Sequence, residues 1–140
     1  MKKIILILIF SFSSFLAISQ VSKYKAYAIS VRMNIGDNSW TDWESWMPTN
    51  GIFTIDVVNS KIKGIIATAY SNNINNYDII NNYGETHDGN NNDVFSWRCV
   101  DDDGKVCIVR LVKLNAEVGT SLIYVELPKW NLCYKTNNLN

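Results

Sequence analysis

Histidine, proline and cysteine are all scarce in this chain of 140 residues, and its charges balance. The chain has one histidine, two prolines and three cysteines, and its 13 basic residues match 13 acidic ones for a formal net charge of zero. The basic stripe that marks a nucleic-acid-binding protein is missing, so we expect no nucleic-acid partner. The cysteines lack the spacing of a zinc knuckle, and His87 lies in a different segment, so we expect no structural metal site.

A sustained helical stripe is also missing, and the one long apolar run stands at the start of the chain. There, two lysines precede the apolar run 4–10 and a serine-rich stretch that ends in an A-x-S cleavage site at Ser19. This is the layout of a Sec signal peptide cleaved before Gln20. A retained anchor is the alternative, but a span needs about 20 predominantly apolar residues. We predict a signal peptide at 1–19, a single β domain at 20–140, a secreted or periplasmic location and no stable membrane span after cleavage.

The rest of the chain alternates apolar and polar residues in short stretches separated by turn signals, which is typical of half-buried strands. Seven or eight such strands at roughly ten-residue spacing predict an all-β fold. Because consecutive strands pair by default, we expect a single antiparallel meander that forms a small barrel, with a two-sheet β-sandwich as the alternative. The segment 41–47 could form a short helix or a 3₁₀ turn, and 84–93 is predicted as a loop. The predicted strands are 27–35, 53–57, 62–70, 77–83, 94–100, 106–114, 122–127 and 130–135.

The clearest local prediction is a hairpin between the stretches that contain Cys99 and Cys107. A three-residue loop, 102–104, with Gly104 in a left-handed conformation, sets the two cysteines opposite each other and aligns the apolar faces of both strands. A two-residue turn would instead set a tryptophan against an arginine, which is costly wherever one face is buried. Opposed residues can be bridged if they form a non-hydrogen-bonded pair, so in an oxidising compartment we predict a Cys99–Cys107 disulfide over free buried thiols. Cys133 is left over, and it either faces outward or pairs with a second chain.

Three tryptophans, Trp40, Trp43 and Trp46, fall within seven residues. Their spacing places them on one face of a 3₁₀ or polyproline II segment. The WxxWxxW pattern resembles the short motif of thrombospondin type 1 repeats, in which Trp rings stack with Arg, but the cysteine framework of that family is missing and its fold is not expected. Exposed Trp rings could stack on sugar rings or line an apolar cavity mouth. The alternative is a Trp cluster that plugs one end of the β core.

The remaining candidate functional sites are two acidic stretches and one carboxylate–imidazole group. The segments 101–104 and 88–93 carry oxygen donors that Ca²⁺ prefers, but neither matches the EF-hand loop, so we expect solvated turns. Glu85, His87 and Asp88 could act as acid and base. No nucleophile or metalloprotease motif accompanies them, so we predict no enzyme, no catalytic residues, no metal site and no cofactor.

Several short segments form a pattern that extends over the chain: 40–43, 52–56, 77–80, 99–111 and 122–124, after a signal that ends near Gln20. Together they resemble a group of small, uncharacterised secreted proteins of Bacteroidota and their phages. The resemblance spans most of the chain after the signal peptide and implies no known activity. It implies that the two hairpin cysteines belong to the pattern and that Cys133 does not.

These observations predict a secreted, non-enzymatic binding module for a protein, a glycan or a small apolar ligand, with the three tryptophans as ligand-binding residues. Such a module requires a filled core and exposed Trp rings. One alternative is a structural or host-interaction protein of a phage. Another is a lipocalin-like carrier of a small apolar ligand, which requires an internal cavity. The cavity would be lined by alternating residues such as Ile29, Val31, Phe53, Ile55 and Trp97.

Overall fold

The computed structural model describes residues 20–68 and 70–140, and their regular structure consists of nine β-strands. The predicted signal peptide at 1–19 lies outside the described residues. No helix in the part of the chain that the structure describes is long and apolar enough to cross a membrane. The strands are β1 (Val21–Gly36), β2 (Ser39–Trp40), β3 (Met47–Asp56), β4 (Lys61–Ala67), β5 (Asn72–His87), β6 (Asp93–Asp101), β7 (Val106–Lys113), β8 (Thr120–Glu126) and β9 (Trp130–Asn138).

The strands form one antiparallel meander that closes on itself. From β3 to β9 each strand pairs with the next in the chain, and β1 pairs with both β3 and β9. Eight strands therefore close into a barrel, and the short β2 adds a ninth strand on β1. The predicted all-β barrel is confirmed, and the sandwich alternative is wrong.

Side chains from the inward-facing positions of the strands fill the barrel. The rings of Phe53 and Tyr134 pack with centroids 4.8 Å apart. Gly64 lies directly opposite Phe53, and a Cβ on this glycine would come within 2.8 Å of the Phe53 ring. The glycine at this position therefore makes room for an aromatic ring. The core consists of Tyr24, Ala26, Phe53, Ile55, Ile62, Tyr77, Trp97, Cys99, Cys107, Val109, Leu111, Ile123, Val125 and Tyr134.

The β6–β7 hairpin has the predicted register, with Cys99 opposite Cys107 and Gly104 at φ 76° in the turn. The predicted disulfide between the two cysteines is nevertheless wrong, because both are free thiols. The backbone N–H of Asp101 donates to the carbonyl of Lys105 at 2.9 Å, so these two residues form a hydrogen-bonded pair. Pair types alternate along an antiparallel ladder, so the cysteine pair, two residues further on, is of the same type. Side chains lie farther apart in hydrogen-bonded pairs, which disfavours the bridge.

β5 is much longer than the sequence predicts. It includes 72–76, which the sequence does not predict as a strand, and 84–87, which the sequence predicts as a loop. Residues 72–76 pair with β4 and residues 84–87 pair with β6, and this pairing holds them in a strand although Asn and Gly have low strand propensity. The ladder with β6 shifts register at Ile80 and Tyr83, which interrupt the alternation that strand prediction relies on.

The two ends of the barrel are formed by alternate turns. One end, which we call the lower mouth, is formed by the turns 57–60, 88–92 and 114–119 and by the start of β1. β4 begins opposite Asp78, so the later part of β5 extends past β4 at this end, paired with β6. The lower mouth is therefore walled on one side by an extended β5–β6 hairpin.

Candidate functional site

The Trp segment, residues 40–46, is hydrogen-bonded along β1, and its Trp40 and Trp43 rings lie against Arg32 on the outer face of the barrel. The backbone N–H of Thr41 donates to the Met33 carbonyl, and that of Glu44 donates to the Val31 carbonyl, both at 2.9 Å. Residues 41–46 form neither a helix nor a 3₁₀ turn. The Trp segment therefore does not plug an end of the β core, and its backbone is fixed to the barrel wall.

Residues of β1 and β9 that point away from the barrel interior are buried on this face. Ser30, Asn131 and Cys133 are 2%, 4% and 3% exposed, and the Ser30 hydroxyl donates to the Glu44 carbonyl at 2.6 Å. Cys133 points away from the barrel interior, which is one of the two alternatives that the sequence left open, but it is buried beside Tyr124. Burial raises the pKa of the Cys133 thiol to about 11, and a hydrogen bond with Tyr124 opposes that rise. This thiol is thus inaccessible for pairing with a second chain.

Arg32 lies at the centre of an outer cluster that it forms with Trp40, Trp43 and Asn131. Its guanidinium carbon lies 5.1 Å from the ring centroid of Trp40 and 4.7 Å from that of Trp43. The hydrogen-bonding surroundings orient the Asn131 amide so that its oxygen accepts from Nε and an η nitrogen of Arg32, at 3.2 and 3.0 Å. This is the stacking of rings and guanidinium that the WxxWxxW resemblance implies, and each such contact contributes about 0.5–1 kcal/mol at an exposed site.

Two indole rings of the Trp segment are open to solvent. Trp43 is 38% exposed and packs edge-on against Tyr124, with centroids 6.0 Å apart, while Trp46 is 49% exposed. Trp40 is half-buried and lines a shallow groove that extends to Arg110 and Glu126. We call this surface the Trp–Arg face. It consists of Arg32, Trp40, Trp43, Trp46, Arg110, Tyr124 and Glu126.

A pocket of about 340 Å³ opens at the lower mouth. Its walls are mainly apolar, and the Nζ atom of Lys113 lies 5.0 Å from the Phe95 ring centroid at its edge. Three of the five residues that the carrier alternative assigned to an internal cavity, Phe53, Ile55 and Trp97, are packed core residues. The pocket is lined by Gln20, Ser22, Tyr24, Ile55, Val57, Val58, Phe95, Trp97, Leu111 and Lys113.

The carboxylate–imidazole group contains Asp93 in place of Asp88, which the sequence predicted beside Glu85 and His87. Glu85 and His87 come together with Asp93, and the Nδ1 atom of His87 lies 3.2 Å from Oδ1 of Asp93. Asp88 instead caps its own turn, where its carboxylate accepts from the side chain and backbone N–H of Asn92. These hydrogen bonds lower the pKa of Asp88 below its usual value.

The acidic stretch 101–104 also stabilises its own turn through hydrogen bonds. The Oδ1 atom of Asp101 accepts from the backbone N–H groups of Asp103 and Lys105, at 3.0 and 2.7 Å. The Asp102 carboxylate accepts from the backbone and side-chain nitrogens of Asn76 on β5. The oxygens that a calcium ion would need are engaged in holding the hairpin.

The two core thiols are not candidate nucleophiles. Burial raises the pKa of Cys99 to about 12 and that of Cys107 to about 11. Both therefore stay protonated at neutral pH, and only a thiolate attacks an electrophile.

Sequence reasoning identified the tryptophans but missed the residues that complete their surface. The sequence indicated Arg32 only weakly, because this residue stands at one of several polar positions of an alternating strand. Nothing in the sequence indicated Tyr124, because this residue joins the surface only through the pairing of β1, β9 and β8. Comparisons of this chain with known protein families, with curated proteins and with solved structures find no match, so the functional interpretation comes from the chain's own geometry.

Proposed function

We propose that this protein is a secreted or periplasmic, non-enzymatic binding module whose contact surface is the Trp–Arg face. Its most direct support is the exposure of the Trp43 and Trp46 rings on a segment that is tied to β1 by backbone hydrogen bonds. Rigid aromatic side chains offer a large contact area and lose little conformational entropy on binding. Exposed rings on a fixed backbone are therefore suited to contact a ligand.

Among a protein, a glycan and a small apolar ligand, the composition of this face favours a glycan. The core of a protein interface is enriched in Trp, Tyr and Arg but depleted in Glu, so Glu126 and its ion pair are the part of this face that fits a protein partner least. Here Arg32, Arg110 and Glu126 lie among the rings, and the last two pair at 2.9 Å. Indole faces pack against the C–H groups of a pyranose ring, and the neighbouring charged groups can hydrogen-bond to its hydroxyls.

Glycan-array screening followed by calorimetric titration of the best binder tests this proposal. We expect Trp43→Ala and Trp46→Ala each to weaken binding at least about tenfold, which corresponds to about 1.4 kcal/mol. Trp130→Ala is the matched control, because Trp130 is 47% exposed and lies outside the Trp–Arg face. It should leave the affinity unchanged.

Two results would contradict the proposal. If the array shows no saturable binding to any glycan, the ligand class is wrong. If Trp130→Ala weakens binding as much as Trp43→Ala does, the contact surface is wrong.

One observation favours a second candidate, a lipocalin-like carrier. The lower-mouth pocket is mainly apolar, and its volume of about 340 Å³ suits a small ligand. Native mass spectrometry of the purified protein distinguishes the candidates. A co-purified mass that Phe95→Ala removes would favour the carrier, and a bare monomer would favour the surface-binding module. Ordered oligomers would instead favour a structural protein, as the phage alternative requires.

A further inference from the structure

Glu85, His87 and Asp93 are placed together by the β5–β6 ladder. Glu85 and His87 are two residues apart on β5, so their side chains project from the same side of the sheet. Asp93 is the cross-strand partner of His87 and shares that side. One ligand atom from each residue lies within 4.8 Å of the other two. Regular strand geometry, rather than a flexible loop, therefore sets the positions of these three groups.

The side of the sheet that carries them faces the lower mouth. Glu85 is the partner of Phe95, and Phe95 is the partner of Leu111, which belongs to the core. Because directly paired residues share a face, the three groups lie on the inner surface of the wall, next to the apolar pocket. The Trp–Arg face is on the outer surface, so the two sites are independent of each other.

One imidazole and two carboxylates form a common ligand set for Zn²⁺ and related divalent ions. Bonds of about 2.0–2.2 Å place the donor atoms of a tetrahedral ion roughly 3.4 Å apart. The ligand atoms lie within 4.8 Å of one another, so they would need to approach by at most about 1.4 Å, and His87 and Asp93 are already 3.2 Å apart. Glu85 and His87 are exposed and Asp93 is partly exposed, so rotamer changes can supply the movement without breaking core contacts.

We infer that Glu85, His87 and Asp93 form a site for a divalent transition-metal ion, with Zn²⁺ as the test ion. Three protein ligands leave a coordination position open, as in catalytic rather than structural zinc sites. That position would be open to water or to an anionic group at the lower mouth. Lys113, the cross-strand partner of Asp93, lowers the affinity through its positive charge.

Isothermal titration of the full purified protein with zinc chloride tests the site. We expect saturable binding of one ion per chain and a loss of affinity of at least about tenfold in His87→Asn and in Asp93→Asn. Asp37→Asn is the matched control, because Asp37 is an exposed carboxylate in the β1–β2 turn. Lys113→Gln should bind zinc more tightly than the unaltered protein.

A second readout separates the site from a loss of folding. Zinc should raise the melting temperature of the unaltered protein and of Asp37→Asn, and it should leave that of His87→Asn unchanged. Without metal, the melting temperatures of all three should agree, because His87 is exposed. The inference is overturned if His87→Asn binds zinc as tightly as Asp37→Asn does, or if uptake does not saturate at one ion per chain.

Discussion

Replacement of Arg32 by methionine should destabilise this protein far more than replacement of an ordinary surface arginine. Methionine keeps most of the aliphatic stem but removes the guanidinium group that lies against Trp40 and Trp43. It also removes both donors to the oxygen of Asn131, a residue that is 4% exposed. The substitution therefore tests whether the outer cluster contributes to the free energy of unfolding or is only a surface feature.

The magnitude follows from these contacts. Two cation–π contacts contribute about 0.5–1 kcal/mol each at exposed sites. A buried amide oxygen that loses its hydrogen-bond donors costs about 1–3 kcal/mol. We therefore expect Arg32→Met to lower the free energy of unfolding by roughly 2–5 kcal/mol.

Urea denaturation followed by far-ultraviolet circular dichroism measures this loss, since tryptophan fluorescence would respond to the stack itself. The matched control is Arg110→Met. Arg110 pairs with Glu126 at 2.9 Å on the same face, and exposed ion pairs contribute about 0–1 kcal/mol. If Arg32→Met and Arg110→Met lose the same amount at an unchanged denaturant slope, the assigned role of Arg32 is refuted.

Three further substitutions test the core, a thiol and a turn. Gly64→Ala places a Cβ 2.8 Å from a phenylalanine ring and should cost about 1–3 kcal/mol in urea denaturation, whereas Gly89→Ala meets no atom within 4 Å and should be neutral. Burial raises the pKa of Cys99 from 9.0 to about 12, so the unfolded chain loses this proton first and the free energy of unfolding falls as pH rises from 9.0 to about 12. Cys99→Ala should flatten that decline in alkaline urea titrations, and an equal slope would contradict the assignment. The hydrogen bonds that lower the pKa of Asp88 stabilise the fold at pH values above 3.8, the pKa of this carboxyl in the unfolded chain. This contribution is lost as the pH falls through the pKa of Asp88 in the folded protein, so Asp88→Asn should weaken the acid dependence of the melting temperature.

The parts of the fold that follow local rules could be predicted from the sequence. The register of the β6–β7 hairpin depends on two apolar faces and one glycine turn, so only one alignment satisfies both. The meander likewise follows from short consecutive strands that pair with their neighbours, whereas its closure through β1 and β9 does not. The strand limits of β5 could not be predicted, because pairing with β4 over 72–78 and with β6 over 77–87, rather than propensity, holds its asparagines in the sheet.

The functional residues were harder to predict, because they meet through long-range pairing. The tryptophan spacing indicated one face, but only the fold shows that this face lies on β1 and includes Arg32. Asp93 replaced Asp88 beside His87 because the ladder pairs residues across the turn. The disulfide prediction failed on the type of cross-strand pair, which the register of the hairpin does not determine.

Closure of the barrel through β1 and β9 also has a consequence for folding kinetics. The successive pairings from β3 to β9 form across short connections, but the closing pairing joins distant segments, as in the bond from Asn140 Nδ2 to the Val21 carbonyl across 119 positions. The cost in loop-closure entropy therefore falls mainly on this pairing, and we expect it to form late in folding. A circular permutant that links residues 20 and 140 and begins in the turn 102–105 could keep every strand pairing of the barrel. The slow closing event would then move to β6 and β7.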